Sequence, residues 1–121
     1  MKTSIATVSL SGTLIDKLRR ISDQGYDAVE IFENDLLSAP QSASEIGNIL
    51  RDLGLECAMF QPFRDLEGLP RPLFERAMER MRRKFDVMDA LGTDLILLCS
   101  NCSPQAIGDR PLLLEDLARV A

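Results

Sequence analysis

The stretch Gly25-Tyr26-Asp27-Ala28-Val29-Glu30-Ile31-Phe32 decides the fold. It reads as a helix stop, one connecting residue, an acid and then an apolar strand. Glycine suits the position just past a helix because it accepts the left-handed backbone that ends the last turn. The same order returns at Gly54-Leu55-Glu56, ahead of Cys57-Ala58-Met59-Phe60-Gln61. It returns again at Gly92-Thr93-Asp94, ahead of Leu95-Ile96-Leu97-Leu98-Cys99. Three such junctions in 121 residues mark a repeating strand–helix unit. A further strand, Ser4 to Leu10, precedes the first helix. The strands are short and in part apolar on both faces, as parallel strands covered on both sides are.

The intervening segments carry the helical period. Leu14, Leu18 and Ile21 share a face of the first helix, and Ile46, Ile49, Leu50 and Leu53 a face of the second. Phe74, Met78, Met81, Phe85 and Met88 line the third, at a spacing that belongs to core packing. Ser42-Ala43-Ser44-Glu45 predicts a capping box, and Thr13-Leu14-Ile15-Asp16 predicts a simpler cap. Pro70 and Pro72 sit where the third helix starts. A last helix begins near Pro111 and runs to the end of the sequence. No linker or low-complexity segment divides residues 1–121, which read as one unit. The fold class is therefore α/β, with four βα units and parallel strands. Two architectures accept that order: a small open doubly wound sheet, and half of a (β/α)8 barrel, which typically needs about 250 residues. Four strands alone leave open edges, so the half-barrel reading expects another four-stranded piece, or a second copy in a homodimer, to cover them.

Composition narrows the chemistry. Lys and Arg number 14 against 19 Asp and Glu, a formal charge of −5, so a basic nucleic-acid-binding surface is not expected. No apolar run approaches the roughly twenty residues of a membrane span, and Met1 to Thr7 lacks the apolar core of a signal peptide. Three cysteines without an export signal suggest reduced thiols and a cytoplasmic location. The chain has no His, which removes His-based acid–base chemistry and His-ligated metals from it.

In a barrel, chemistry sits at the C-terminal ends of the strands. Polar residues collect there: Ser9 and Ser11; Glu33, Asn34 and Asp35; Gln61, Arg64 and Asp65; Ser100, Asn101 and Ser103. A loop that meets water is polar in any case, so position alone assigns none of them a role. Glu30 lies within a strand, where alternation puts it on one face with Phe32 and Asn34. A carboxylate there needs a partner: it either orients a ligand-binding group or ties to a polar residue of the first strand. Pro62 cannot donate to a ladder, so the third strand should stop or kink there and leave Phe63 and Arg64 over the strand ends. Arg beside an aromatic suits a planar carboxylate; a surface ion pair of Arg64 with Asp65 or Glu67 accounts for it equally well. Cys99-Ser100-Asn101-Cys102 matches a C-x-x-C pattern but opens no helix, and reads as incidental. The basic run Arg76, Arg80, Arg82, Arg83 and Lys84, interleaved with acids, reads as a solvated, salt-bridged face.

Four stretches carry a family resemblance: Ser4 to Leu14, Val29-Glu30-Ile31-Phe32-Glu33-Asn34-Asp35-Leu36-Leu37, Gln61-Pro62-Phe63-Arg64-Asp65-Leu66-Glu67-Gly68 and Leu98-Cys99-Ser100-Asn101. Together they resemble the N-terminal half of bacterial 3-dehydroshikimate dehydratases, members of the xylose isomerase-like TIM-barrel superfamily of sugar-phosphate isomerases and epimerases. Some members are fused to a hydroxyphenylpyruvate dioxygenase-like domain. The resemblance implies that a divalent metal (Mg, Mn or Co) binds 3-dehydroshikimate at the barrel mouth. Loss of water and aromatisation then give protocatechuate. It places the metal ligands and a His base on later strands, so no metal ligand and no catalytic residue is assigned to this chain, and no activity or metal is expected of it alone. What carries over is a substrate-binding wall: Gln61, Phe63 and Arg64 with Glu33, Ser100 and Asn101, Arg64 meeting the substrate carboxylate. A sugar-phosphate isomerase or epimerase of the same superfamily, and a non-enzymatic half-barrel assembly module, are the competing readings. No nucleic-acid or membrane partner is expected.

Overall fold

The computed structural model describes the whole chain, Met1–Ala121. The elements are β1 (Ser4–Ala6), a 3-10 turn (Thr7–Ser9), α1 (Leu14–Asp23), β2 (Ala28–Phe32), α2 (Glu33–Ser38), α3 (Ala43–Asp52), β3 (Glu56–Phe63), α4 (Arg71–Leu91), β4 (Ile96–Leu98) and α5 (Arg110–Ala118). The strands form one sheet in the order β1-β2-β3-β4. β1 pairs parallel with β2, and β2 with β3, with a register shift at Val29/Glu30.

The chain divides into two compact units, the first comprising Met1–Pro62 with Asp86–Leu97 and the second Phe63–Phe85 with Leu98–Ala121. In the first, Val29 and Ile31 of β2 and Cys57 and Phe60 of β3 meet Leu14, Leu18 and Ile21 of α1, Ile46 and Leu50 of α3, and Met88 and Leu91 of α4. The helical periods predicted from sequence thus point at one side of the sheet. The recurrent junctions close as the sequence predicts. Gly25, Gly54 and Gly92 all adopt positive φ. After each, an N–H reaches back five residues to a helix carbonyl: Tyr26 to Ile21 (3.3 Å), Leu55 to Leu50 (2.9 Å) and Thr93 to Met88 (3.1 Å). Two of the junction acids secure the N-terminal ends of the strands. The Asp27 carboxylate accepts the Thr3 N–H at 2.7 Å, which holds it below the usual carboxylate range, and Glu56 pairs with Lys2 at 2.6 Å.

The second unit is organised on Asp116 and Phe74. Asp116, fully buried on α5, accepts the Gly68 N–H at 2.8 Å and pairs with Arg71 at 2.5 Å. Phe74 lies under two guanidinium groups, Arg71 at 5.4 Å and Arg119 at 4.8 Å from the ring centroid. Phe74, Met78 and Met81 are buried, as their spacing predicts, whereas Phe85 is 40% exposed and leaves the stripe.

Four boundaries differ from the sequence reading. The first strand ends at Ala6 rather than Leu10, because the buried Thr7 hydroxyl accepts the Phe32 N–H at 3.0 Å and the backbone turns away. Residues 33–38, read as a loop, form α2; no side chain of this short helix is buried, so no apolar period announces it. The third strand passes through Pro62, on a cis Gln61–Pro62 bond, to Phe63, whose carbonyl accepts the Cys99 N–H at 2.9 Å. β4 is confined to Ile96–Leu98 rather than Leu95–Cys99. The two predicted caps are present: Thr13 on α1 and a complete Ser42/Glu45 capping box on α3.

Candidate functional site

In the first unit the site is built on the strand face turned away from the helices. Val29 and Ile31 face the core, so pleating sends Glu30 and Phe32, both half-buried, to the other side. The register sets Glu30 beside Met59 and Phe32 beside Gln61. Glu30 accepts a hydrogen bond from Gln61 Nε2 at 2.8 Å and a longer one from the Ser4 hydroxyl at 3.4 Å. Glu30 thus touches a polar residue of β1, as one sequence reading expects, and it also holds the Gln61 amide. With one Nε2 hydrogen turned to Glu30, Gln61 keeps one donor and its carbonyl acceptor for another partner. Glu33 stands in the first turn of α2 and is half-buried. Behind it, Lys17 of α1, only 5% exposed, pairs with Asp35 at 2.7 Å and ties α1 to α2. A separate cavity of about 690 Å3 opens between the start of α1 and the α2–α3 connection, with Thr13, Asp16, Asp35, Ser38 and Gln41 among its walls. Glu30 and Gln61 are not among them.

In the second unit, Phe63 is 2% exposed and its ring is covered by the Arg80 guanidinium, 4.5 Å from the centroid. The cation stacked on Phe63 is thus a residue of the chain itself. Arg80 also donates to the carbonyls of Arg64 (2.5 Å) and Asp65 (3.4 Å), which fixes the backbone where β3 ends. The Arg64 side chain is exposed and forms no ion pair with Asp65 or Glu67. Its guanidinium keeps its full set of donors. Asn101 is a clamp: its N–H donates to Glu67 Oε1 and its Nδ2 to the Glu67 carbonyl, both at 2.7 Å, while its Oδ1 accepts the Ser103 N–H at 2.8 Å. Ser100 beside it is exposed. The second carboxylate oxygen of Glu67 is buried without a partner. Sequence reasoning missed Arg80 and the clamping role of Glu67, since both act through contacts distant along the chain.

The thiols divide by burial. Burial pushes Cys57 up to about 11, whereas Cys102 is exposed and Cys99 half-buried; all three are free. No group of three or more His, Cys, Asp or Glu side chains gathers where it could hold a metal ion. The residues of this chain therefore do not by themselves fit the divalent metal that the resemblance implies, and no chemical step is routed through one here.

Parallel strands backed by helices, with a carboxylate–amide pair on the opposite strand face, define a portion of a βα-barrel protein. The chain belongs to the xylose isomerase-like TIM barrel family, whose model matches residues 18–121. It is 54% identical over all 121 residues to a 3-dehydroshikimate dehydratase of Pseudomonas aeruginosa, and spans 19% of that relative's length. A solved xylose isomerase-like TIM barrel/4-hydroxyphenylpyruvate dioxygenase fusion protein superposes with a TM-score of 0.97 at 51% identity, over 99% of this chain and 19% of that one. The IolI protein, solved with a bound zinc atom, superposes with a TM-score of 0.82 at 14% identity over 45% of its length, a likeness of fold. The chain is thus similar throughout to about a fifth of the curated relatives it matches.

Proposed function

We propose that the chain supplies four strand–helix units of a metal-dependent 3-dehydroshikimate dehydratase and contributes part of its substrate wall. The observation that carries this reading is the 54% identity with a named dehydratase over all 121 residues. The reaction removes water from 3-dehydroshikimate to give protocatechuate. In this reading the metal ligands and the proton-abstracting base come from the part of the barrel beyond these four units.

The roles we assign to the chain are binding and orientation. Gln61, held by Glu30, meets the substrate's hydroxyl groups with its remaining donor and acceptor. Arg64, whose fork is uncommitted, meets the carboxylate; bidentate pairing there needs the planar guanidinium that Lys lacks. Phe63 supports the Arg64 backbone through Arg80 rather than stacking on the substrate, and Asn101 shapes the loop that presents Ser100. Glu33, in the first turn of α2, is the further residue we assign to substrate binding. Three free cysteines suit a reducing compartment, and we place the protein in the cytoplasm. By itself, the chain would pair the open edges of its sheet with those of a second copy.

The test is a graft. This chain replaces the matching segment of the Pseudomonas aeruginosa relative, and the purified hybrid is offered 3-dehydroshikimate, then phosphorylated sugars. Protocatechuate formed from the first alone supports the proposal. Turnover of a sugar phosphate alone moves the assignment to an isomerase or epimerase. A folded hybrid inert to every substrate leaves the assembly-module reading.

A further inference from the structure

α4 carries its positive charge on one line. Arg76, Arg80 and Arg83 follow one another at steps of four and three residues, which brings them to the same face. Together with Asp65, Ser103 and Gln105 they line a groove of about 320 Å3 within the second unit, whose apolar walls are Leu69, Leu73 and Ala77. The sequence predicts a solvated, salt-bridged face for this run. The structure bears this out in part, since two of the acids find arginine partners, one of them Arg83 of the groove. Glu75 is bound by Arg119 at 2.8 Å, and Glu79 reaches Arg83 only at 3.7 Å, with both side chains about two-thirds exposed. Arg76 pairs with no acid, and Arg80 spends its hydrogen bonds on the neutral carbonyls of Arg64 and Asp65, so its charge is not cancelled. Asp65, in the left-handed region at φ 55°, contributes the one carboxylate of the lining and pairs with none of the arginines. Three guanidinium groups against the Asp65 carboxylate of the lining, with Glu79 beside Arg83, leave the groove a net charge of about +1, in a chain whose own charge is −5.

We propose that this groove binds a small molecule through a phosphate group. A phosphate group carries the charge opposite to that of the groove. Its oxygens accept from several forks at once, as guanidinium geometry favours. The Ser103 hydroxyl and the Gln105 amide supply further donors at the rim, and Leu69, Leu73 and Ala77 keep water from one side of the ion pairs. The groove shares no residue with the Glu30–Gln61 pair and does not depend on the dehydratase reading.

Titration calorimetry of the full chain with inorganic phosphate, at constant ionic strength set with chloride, tests the proposal. The expected result is saturable one-to-one binding, weakened roughly tenfold or more in Arg76→Gln and in Arg83→Gln, as loss of a charged hydrogen bond implies. Arg82→Gln removes the same charge from the same helix but not from the lining, and should leave the affinity unchanged. All three side chains are exposed, so thermal melts of the variants should match the parent, confirming that folding is not the cause. Absence of saturable heat would overturn the proposal. Equal weakening by Arg82→Gln would do so too, since it would reduce the effect to diffuse electrostatics.

Discussion

Replacing Gly47 by Ala sets two physical effects against each other. Gly47 lies inside α3, where Ala is favoured over Gly by about 1 kcal/mol on propensity alone. Sequence reasoning would therefore predict a more stable protein. In the structure, a Cβ at Gly47 would lie 2.2 Å from the Ala90 carbonyl oxygen and 3.3 Å from its carbon. An ordinary C···O contact is about 3.3 Å at closest, so one helix must withdraw by roughly 1 Å. Nothing nearby yields easily: the obstacle is backbone, and Ile46, Leu50 and Leu91 pack the same seam at 3% exposure or less. Overpacking of this kind costs about 1–3 kcal/mol, and a displaced helix seam belongs at the upper end. After the propensity gain the net loss is about 2 kcal/mol. For a domain of this size that lowers the Tm by roughly 8 °C. Thermal melts followed by circular dichroism, with urea titrations for the free energy, measure it. Gly108→Ala is the control: nothing lies within 4 Å of its added Cβ, and its φ is not positive, so its Tm should hold or rise slightly. A Gly47→Ala protein as stable as the parent would refute the close approach of α3 to α4.

Other consequences follow from the same contacts. Lys17→Met strands the Asp35 carboxylate, 17% exposed, beside apolar surface and should cost about 3 kcal/mol; Lys17→Met with Asp35→Leu should recover most of it, as urea midpoints will report. Asp116→Ala removes the acceptor of the Gly68 N–H and the partner of Arg71, and should destabilise by about 2–4 kcal/mol on the same assay. Of the three thiols, Cys102 and Cys99 should react with a thiol reagent at pH 8 and Cys57 only on unfolding, because burial holds Cys57 protonated up to about 11. Asp27, Glu45 and Glu75 are held below their ordinary values by the Thr3 N–H, the Ser42 N–H and Arg119 respectively. Their contribution to stability is present above the unfolded values near about 4 and is lost as pH falls through the depressed ones. Urea midpoints should therefore hold steady from neutrality down to about pH 4 and fall below it; a flat profile into stronger acid contradicts the assignment.

What the sequence made legible was what local physics dictates. The Gly-x-acid junctions announced where helices stop and strands start, and the glycines took the positive φ they predict. Apolar periods identified the core faces of α1, α3 and most of α4, and Ser42 and Glu45 formed their capping box. α2 was not legible, because a six-residue helix with no buried side chain has no pattern to read. The early end of β1 was not legible either, because a side-chain hydroxyl, Thr7, takes over the ladder there. At the strand ends, alternation put Glu30 on its face, but only the fold gives it Gln61, 31 residues away, as a partner. Phe63 shows the limit in the other direction. Beside Arg64 in sequence it reads as part of a recognition surface, while in space it sits under Arg80. Long-range pairings of this kind leave no trace in local spacing.

The central claim is that these four units can serve as part of a dehydratase barrel. The most direct measurement is protocatechuate formation from 3-dehydroshikimate by the hybrid in which this chain replaces its counterpart in the Pseudomonas aeruginosa relative, compared with the same hybrid carrying Arg64→Gln. The account predicts turnover by the hybrid, and a KM raised about tenfold or more by Arg64→Gln through the lost carboxylate pairing. A hybrid that folds and binds metal yet forms no protocatechuate would contradict it.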